Sequence, residues 1–263
     1  TFDDGTGAAL FVGGDFAVCG AQWMYPPPMR WRGGTWSQAA GYNLAPCVFA
    51  MLDLGSGPQL FGGHRWVLRW SGGTWVGSGP PMLDNDVFAL AVCDFGSGPQ
   101  LYAGGLFNMG LGGIARASGS SWQPLGTGMN GAVLALASFG TGTSTRLFAG
   151  GAFTTAGGSA SPALAAWDGA NWSAVGANNH VYVLRVLDLG SGAALYAAGA
   201  FTTIGGTAAA CVARFDGTSW SALGSGLPGL VECLEIFDDG SGPALYAGGS
   251  FTIGGHNTHL ARW

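Results

Sequence analysis

Lysine is absent from this chain and glutamate nearly so: nine arginines face twelve aspartates and two glutamates, for a formal net charge of −5. No basic footprint is available for a phosphate backbone, so nucleic acid is not an expected partner. No apolar stretch reaches about eighteen residues without an interrupting glycine or charge, which excludes a membrane-spanning helix. No segment of about ten residues holds a helical period free of glycine, so almost no helix is expected. The cysteines, at positions 19, 47, 93, 211 and 233, contain no C-x-x-C pair. That argues against a zinc ribbon and against a thioredoxin-like site. Cys47, Cys93 and Cys233 sit within apolar runs, where a free cysteine behaves as a small buried hydrophobe. Mostly free thiols, or one or two disulfides, are both open readings, and the odd count leaves one thiol unpaired within the chain.

Glycine and aromatics are what the chain has in abundance. Fifty glycines beside 11 Trp, 6 Tyr and 15 Phe do not describe a disordered segment, because such segments lack aromatics. The glycines read as turn residues of a folded β protein. At 263 residues the length alone permits one large domain or two small ones. The sequence begins at Thr1 with no methionine and no signal segment, which reads as a mature, trimmed or excised product.

Self-similarity decides between these possibilities. An Asp-x-Gly-Ser/Thr-Gly turn starts at Asp3, Asp53, Asp94, Asp188 and Asp238, with Ser138 in the equivalent place of SFGTG, at spacings of 50, 41, 44, 50 and 50 residues. Before each turn lies an apolar run such as VFALAVCD or VLRVLD, rich enough to be buried on both faces. After it comes a second run (QLYAGG, RLFAGG, ALYAGG), then a loop typified by FTTAGG or FTTIGG, a third segment and a fourth. The third and fourth join through Trp/Phe-x-Gly-x-x-Trp, as in WRGGTW, WSGGTW, WDGANW and FDGTSW, which sets two aromatics across a glycine turn. Four antiparallel strands per repeat, with a buried first strand, describe the blades of an all-β propeller. One domain over residues 1–263 is expected, six-bladed in preference to five. Its end blades are incomplete: Thr1 and Phe2 stub one first strand, and Trp263 falls before a last fourth strand.

LYAGG, then SFT-x-GG, an Ala-Arg-Trp/Phe segment, DGTSWSALGSG and an apolar run ending in FDDGSG resemble the secreted propeller repeats related to fungal cortical-marker proteins. They are also similar to bacterial delta-60-type repeats and, more distantly, to kelch repeats. The resemblance covers nearly the whole chain, is strongest from Ser138 to Trp263, and implies a propeller in an extracellular or cell-surface setting. It carries over no catalytic motif and no cofactor.

Candidate site residues are the departures from the repeat. They gather on the face that bears the loops between second and third strands and the blade-to-blade connections. CGAQWMYPPPM replaces the usual loop in the first repeat and sets Trp23 and Tyr25 in a stiff aromatic insert, a possible stacking platform for a sugar or peptide. Asp84 and Asp86 lie in one connection, where paired carboxylates compete with plain turn chemistry, and His180 lies in another. His256 and His259 occupy the last copy of the loop, and His64 the shortened loop of the second repeat. A metal would require several of these histidines to converge from different blades, so whether they form a metal site stays open. The Asp-x-Gly-Ser-Gly segments are expected to be hairpin turns, and the arginine before the third-segment aromatic to be structural, stacked on a tryptophan. The expected function is a non-enzymatic binding or scaffolding propeller with a glycan or protein partner. The alternatives are a subunit that self-associates through its terminal blades, and a propeller enzyme acting on polysaccharide or using a channel metal or quinone, for which Glu232 and Glu235 are the slender support.

Overall fold

A computed structural model describes residues 2–3, 7–12, 18–19, 22–23, 29–39, 48–55, 57–64, 66–71, 73–77, 83–108, 110–253 and 256–263. The chain forms a six-bladed β-propeller. Blades 1 to 5 are four-stranded antiparallel sheets, and blade 6 has three strands among the described residues, Gly229–Asp238, Pro243–Ile253 and His256–Arg262. In blade 1 the inner strand is the pair Phe2–Asp3, so the turn-anchoring aspartate itself joins the stub expected from Thr1 and Phe2. The only helical element among the described residues is a 3-10 turn, Gly142–Ser144, so none of them forms a helix long and apolar enough to cross a membrane.

Local chemistry accounts for each blade. At four of the hairpins one aspartate oxygen accepts from two turn amides: Asp53 Oδ1 from Gly55 and Gly57 at 2.7 and 3.0 Å, Asp94 Oδ1 from Gly96 and Gly98 at 2.7 and 3.0 Å. Asp188 and Asp238 repeat this. Gly55 and Gly57 hold φ values of 94° and 96°, a region closed to most side chains, which is why the turn keeps both glycines. The second hairpin sets its aromatics directly opposite each other: Trp31–Trp36, Trp70–Trp75, Trp167–Trp172 and Phe215–Trp220 have ring centroids 5.1 to 5.4 Å apart. One expected arginine stack is present, Arg30 lying 6.0 Å from the Trp70 ring, whereas Arg69 and Arg116 donate across to Gln59 and Gln100.

The glycine pair closing the second strands of blades 3, 4 and 6, which in blade 5 is Ala198–Gly199, answers two different needs. The inner strands of blades 3 to 6 carry a bulge after Val87, Val133, Val181 and Val231, opposite that pair of positions. A Cβ on Gly151 would stand 2.0 Å from the Ala132 carbonyl oxygen of its own blade, and one on Gly199 2.1 Å from that of His180. A Cβ on the preceding Gly150 would instead meet Val181 of the next blade at 2.7 Å. The second glycine therefore admits the bulge, and the first lets neighbouring blades approach.

Five apolar clusters fill the five successive blade interfaces. Trp70 and Trp75 pack with Phe11 between blades 1 and 2, and Phe61, Val87 and Leu101 between blades 2 and 3. Tyr102, Val133 and Leu147 do so between blades 3 and 4, Phe148, Val181 and Leu195 between blades 4 and 5, and Tyr196, Val231 and Leu245 between blades 5 and 6. Cys93 and Cys211 are buried free thiols, but Cys233 is exposed. The bulge between Val231 and Cys233 turns its side chain off the face buried against blade 5, which the apolar run alone does not reveal.

Candidate functional site

The loop face is built from asparagines and aspartates spent on backbone amides. Asn130 Oδ1 accepts from Thr154 and Thr155 at 2.8 and 2.9 Å, and Asn178 Oδ1 from Thr202 and Thr203 at 2.8 and 3.0 Å. Asp84 stands at the equivalent position of its blade and accepts from the Asn108 amide at 2.9 Å. Its carboxylate ties the loop down. Asp86, the other half of the expected carboxylate pair, turns to His64, whose Nδ1 lies 3.3 Å from its Oδ1. His180 sits edge-on to Tyr182, with Nδ1 3.2 Å from the phenol oxygen, and His259 Nδ1 lies 2.9 Å from the Gly249 carbonyl. His256 begins the third strand of blade 6. These histidines belong to blades 2, 5 and 6, and the described residues contain no group of three metal-ligating side chains. Gln22–Trp23 pairs with Val18–Cys19 as a short hairpin; the Trp23 side chain and all of Tyr25 lie outside the described residues. In blades 4 and 5 the loop between second and third strands is itself a short hairpin, Thr155–Ala156 with Ser159–Ala160 and Thr203–Ile204 with Thr207–Ala208.

Among the described residues, two concavities stand out. A central cavity of about 600 Å³ runs between the inner strands, walled by Phe49, Met51, Phe88, Leu134 and Tyr182. On its wall Arg185 of blade 5 pairs with Glu235 of blade 6, so Glu235 is already engaged. The second, of about 450 Å³, lies between blades 4 and 5 beside the hairpin-turn face. Its aromatic wall is a run of rings: Phe139 and Phe148 stand 6.1 and 5.6 Å from Phe215, which stands 5.2 Å from Trp220. Ser144, Ser173 and Arg146 supply polar groups. Arg146 is held by the Thr143 and Thr145 carbonyls at 3.1 and 2.8 Å, leaving a fixed guanidinium at the rim.

The homologous groove between blades 3 and 4 shows why this one is open. There the volume is about 210 Å³, because Arg116 and Gln100 project into it. At the arginine's position blade 4 carries Ala166, and at the glutamine's it carries Arg146, which turns away. The turn before Arg146 has the same length as its neighbours but lacks their aspartate, and it folds as the 3-10 turn Gly142–Ser144 that builds one wall. Two departures in one blade, the 3-10 turn and Ala166 for arginine, thus converge on one cavity, whereas Ser138, which the sequence aligns with the turn aspartates, pairs with Leu147 inside the strand and donates to Cys93 of blade 3. The sequence signal was an arginine missing from an otherwise regular series.

Titration is perturbed where side chains serve the fold. Burial pushes the Cys93 thiol up, and burial pushes Tyr102 to about 12. Backbone amides and hydroxyls of Asn171, Ala170, Ser219 and Thr218 hold Asp168 and Asp216 below the ordinary carboxylate value, and Ser241 with Tyr246 holds Asp239 at about 2. All three are turn acceptors.

No known protein family matches the chain, and no curated protein does. Among solved structures it is similar to the computationally designed Ika8 protein, at 15% identity over 89% of this chain and 68% of that one, with a TM-score of 0.52. It is also similar to the WD40 β-propeller domain of Doa1, at 16% identity over 77% of this chain and 64% of that one, with a TM-score of 0.46. At these identities the likeness is of fold alone. The chain is a β-propeller repeat protein.

Proposed function

We propose that the protein is a non-enzymatic binding propeller of an extracellular or cell-surface setting, and that the groove between blades 4 and 5 receives a glycan. A single observation carries this reading: two departures of blade 4 from the repeat, the 3-10 turn Gly142–Ser144 and Ala166 in place of arginine, both border that groove. A row of aromatic faces flanked by two hydroxyls and one fixed guanidinium suits a ring with an apolar face and polar edges. An aliphatic or aromatic side chain of a partner protein is the competing occupant. The absence of catalysis is supported by the employment of the carboxylates, with Asp53, Asp94, Asp168, Asp188, Asp216 and Asp238 accepting turn amides and Glu235 paired. The setting outside the cell is supported by the lack of lysine, the low charge and the resemblance to secreted repeats.

The test is a glycan array followed by titration, read by tryptophan emission, since Trp220 forms part of the wall. Ala166→Arg refills the groove as Arg116 fills its counterpart and should weaken binding at least tenfold while leaving the β circular dichroism unchanged; Phe215→Ala should weaken it comparably. A glycan bound equally well by wild type and Ala166→Arg places recognition elsewhere and overturns the assignment.

A further inference from the structure

The five blade interfaces are copies of one interface, and its two halves are laid bare at the ends of the series. In each internal interface the leucine opening a second strand packs against the preceding blade. Leu60, Leu101, Leu147, Leu195 and Leu245 are no more than 4% exposed, yet Leu10 of blade 1 is 42% exposed. Beside it Trp31 is 36% exposed, where Trp70 and Trp167 are 5% and 8%. The opposite face behaves likewise. Val67, Ile114, Leu164 and Val212, which open third strands and pack on the following blade, are at most 6% exposed, whereas Leu260 of blade 6 is 65% exposed. Phe237 is 59% exposed where Cys93 is buried and Phe139 half-buried, and exposed Cys233 stands where Ala89 and Ala135 are buried. Among the described residues no apolar cluster joins blade 6 to blade 1.

We propose that the outward face of blade 6 takes blade 1 of a second copy of this chain, head to tail. The argument is continuity with an interface already built five times. The face around Leu260, Phe237 and Cys233 is the half that each blade offers to its successor, and the face around Leu10 and Trp31 is the half that each offers to its predecessor. A second copy brings the complementary half in the same register. Phe11 meets Trp70 at 5.0 Å and Phe148 meets Phe215 at 5.6 Å across internal interfaces; Tyr246, at the same position of blade 6, is left for a Trp31 from the neighbour. Because the two halves differ, the contact is heterologous, and it propagates into closed or open assemblies of the chain.

Light scattering after size exclusion, from sub-micromolar to a few hundred micromolar chain, tests this directly. The wild-type mass should rise with concentration. Leu260→Asp and Leu10→Asp, each at an exposed position, should be monomeric alone with unchanged melting temperature. Their equimolar mixture should stop at a dimer, since only one intact pair of halves remains. Alkylation of Cys233 should slow several-fold as wild-type concentration rises, a readout that requires no substitution. Should either aspartate variant lose its β circular dichroism, Leu260→Ser and Leu10→Ser take its place. A monomer at every concentration, with Cys233 already protected at high dilution, means that blade 6 seals on blade 1 of its own chain and overturns the proposal. A mixture that stays monomeric overturns it as well. The glycan titration is independent of both outcomes, because Ala166 and Phe215 lie between blades 4 and 5.

Discussion

Replacing either glycine of the pair Gly150–Gly151 by alanine adds the same methyl group, yet the two changes should differ severalfold in cost. At Gly150 the new Cβ faces Val181 Cγ1 at 2.7 Å, a side chain of the next blade. Relief requires the blades to part by a few tenths of an ångström, an overpacking cost of about 1–2 kcal/mol. Alanine restricts the unfolded chain, which returns about 0.5–1 kcal/mol, so the net loss should stay near 1 kcal/mol. Blade 5 supports this, because Ala198 occupies the same position there, fully buried. At Gly151 the Cβ would stand 2.0 Å from the Ala132 carbonyl oxygen, with further backbone at 3.0 and 3.1 Å, and no rotamer relieves a clash between main chains. The bulge between Val133 and Ala135 must open, along with the bond from the Gly151 amide to the Ala163 carbonyl at 3.0 Å. Losing that bond and part of the packing around Val133 should cost about 3 kcal/mol or more. For a domain of this size each kcal/mol lowers Tm by roughly 2–4 °C, which puts Gly151→Ala about 6–12 °C below wild type and Gly150→Ala about 2–4 °C below. Differential scanning calorimetry, with urea unfolding as a check, resolves that gap. Equal shifts for the two variants, or a Gly151→Ala protein within about 1 kcal/mol of wild type, would refute the separation of bulge and blade-approach roles.

Other consequences follow from single residues. Asp168, Asp216 and Asp239 have folded pKa values below their unfolded ones, so their contribution is complete above about pH 4 and is lost as the pH falls toward 2; replacing all three by asparagine should flatten the loss of stability across that window in acid-unfolding curves. Asn178→Ala removes the acceptor of the Thr202 and Thr203 amides and should cost about 1–2 kcal/mol, with faster hydrogen exchange confined to those amides. Ala163 adopts a φ of 58°, where glycine stands in blade 3 as Gly113, so Ala163→Gly should be neutral or stabilising by up to about 1 kcal/mol in urea titration despite removing a buried methyl. Alkylation of the native protein at low concentration, mapped by mass spectrometry, should modify Cys233 and reach Cys93 and Cys211 only on unfolding; modification of Cys93 at a comparable rate would contradict its burial beneath Ser138.

Much of the architecture was legible because it rests on short-range rules. The Asp-x-Gly-Ser-Gly turns announce themselves through one acceptor and two glycines within five residues, and the Trp/Phe-x-Gly-x-x-Trp hairpins through their paired rings. Counting these gave six blades. The candidate site was far less legible. Asp84 looked like half of a carboxylate pair because it lies two residues from Asp86, but its partner is the amide of Asn108, and Asp86 answers to His64 on another blade. The groove lined by Phe139 and Phe215 was hidden because its walls come from segments 76 residues apart and its volume depends on a missing side chain, Ala166.

The repeat, its turns and the alternation of buried positions belong to the sequence by itself, since hydrogen bonds inside a hairpin and the period-two pattern of a strand reach only to near neighbours. Which copies of a repeated surface are filled, left open as a groove or exposed at an end was decided by tertiary structure alone. Leu10 and Leu101 stand in nearly the same local sequence, ALFVGG against QLYAGG. One is exposed and the other buried, because burial depends on the blade that lies opposite, and residues tens of positions away set that blade in place.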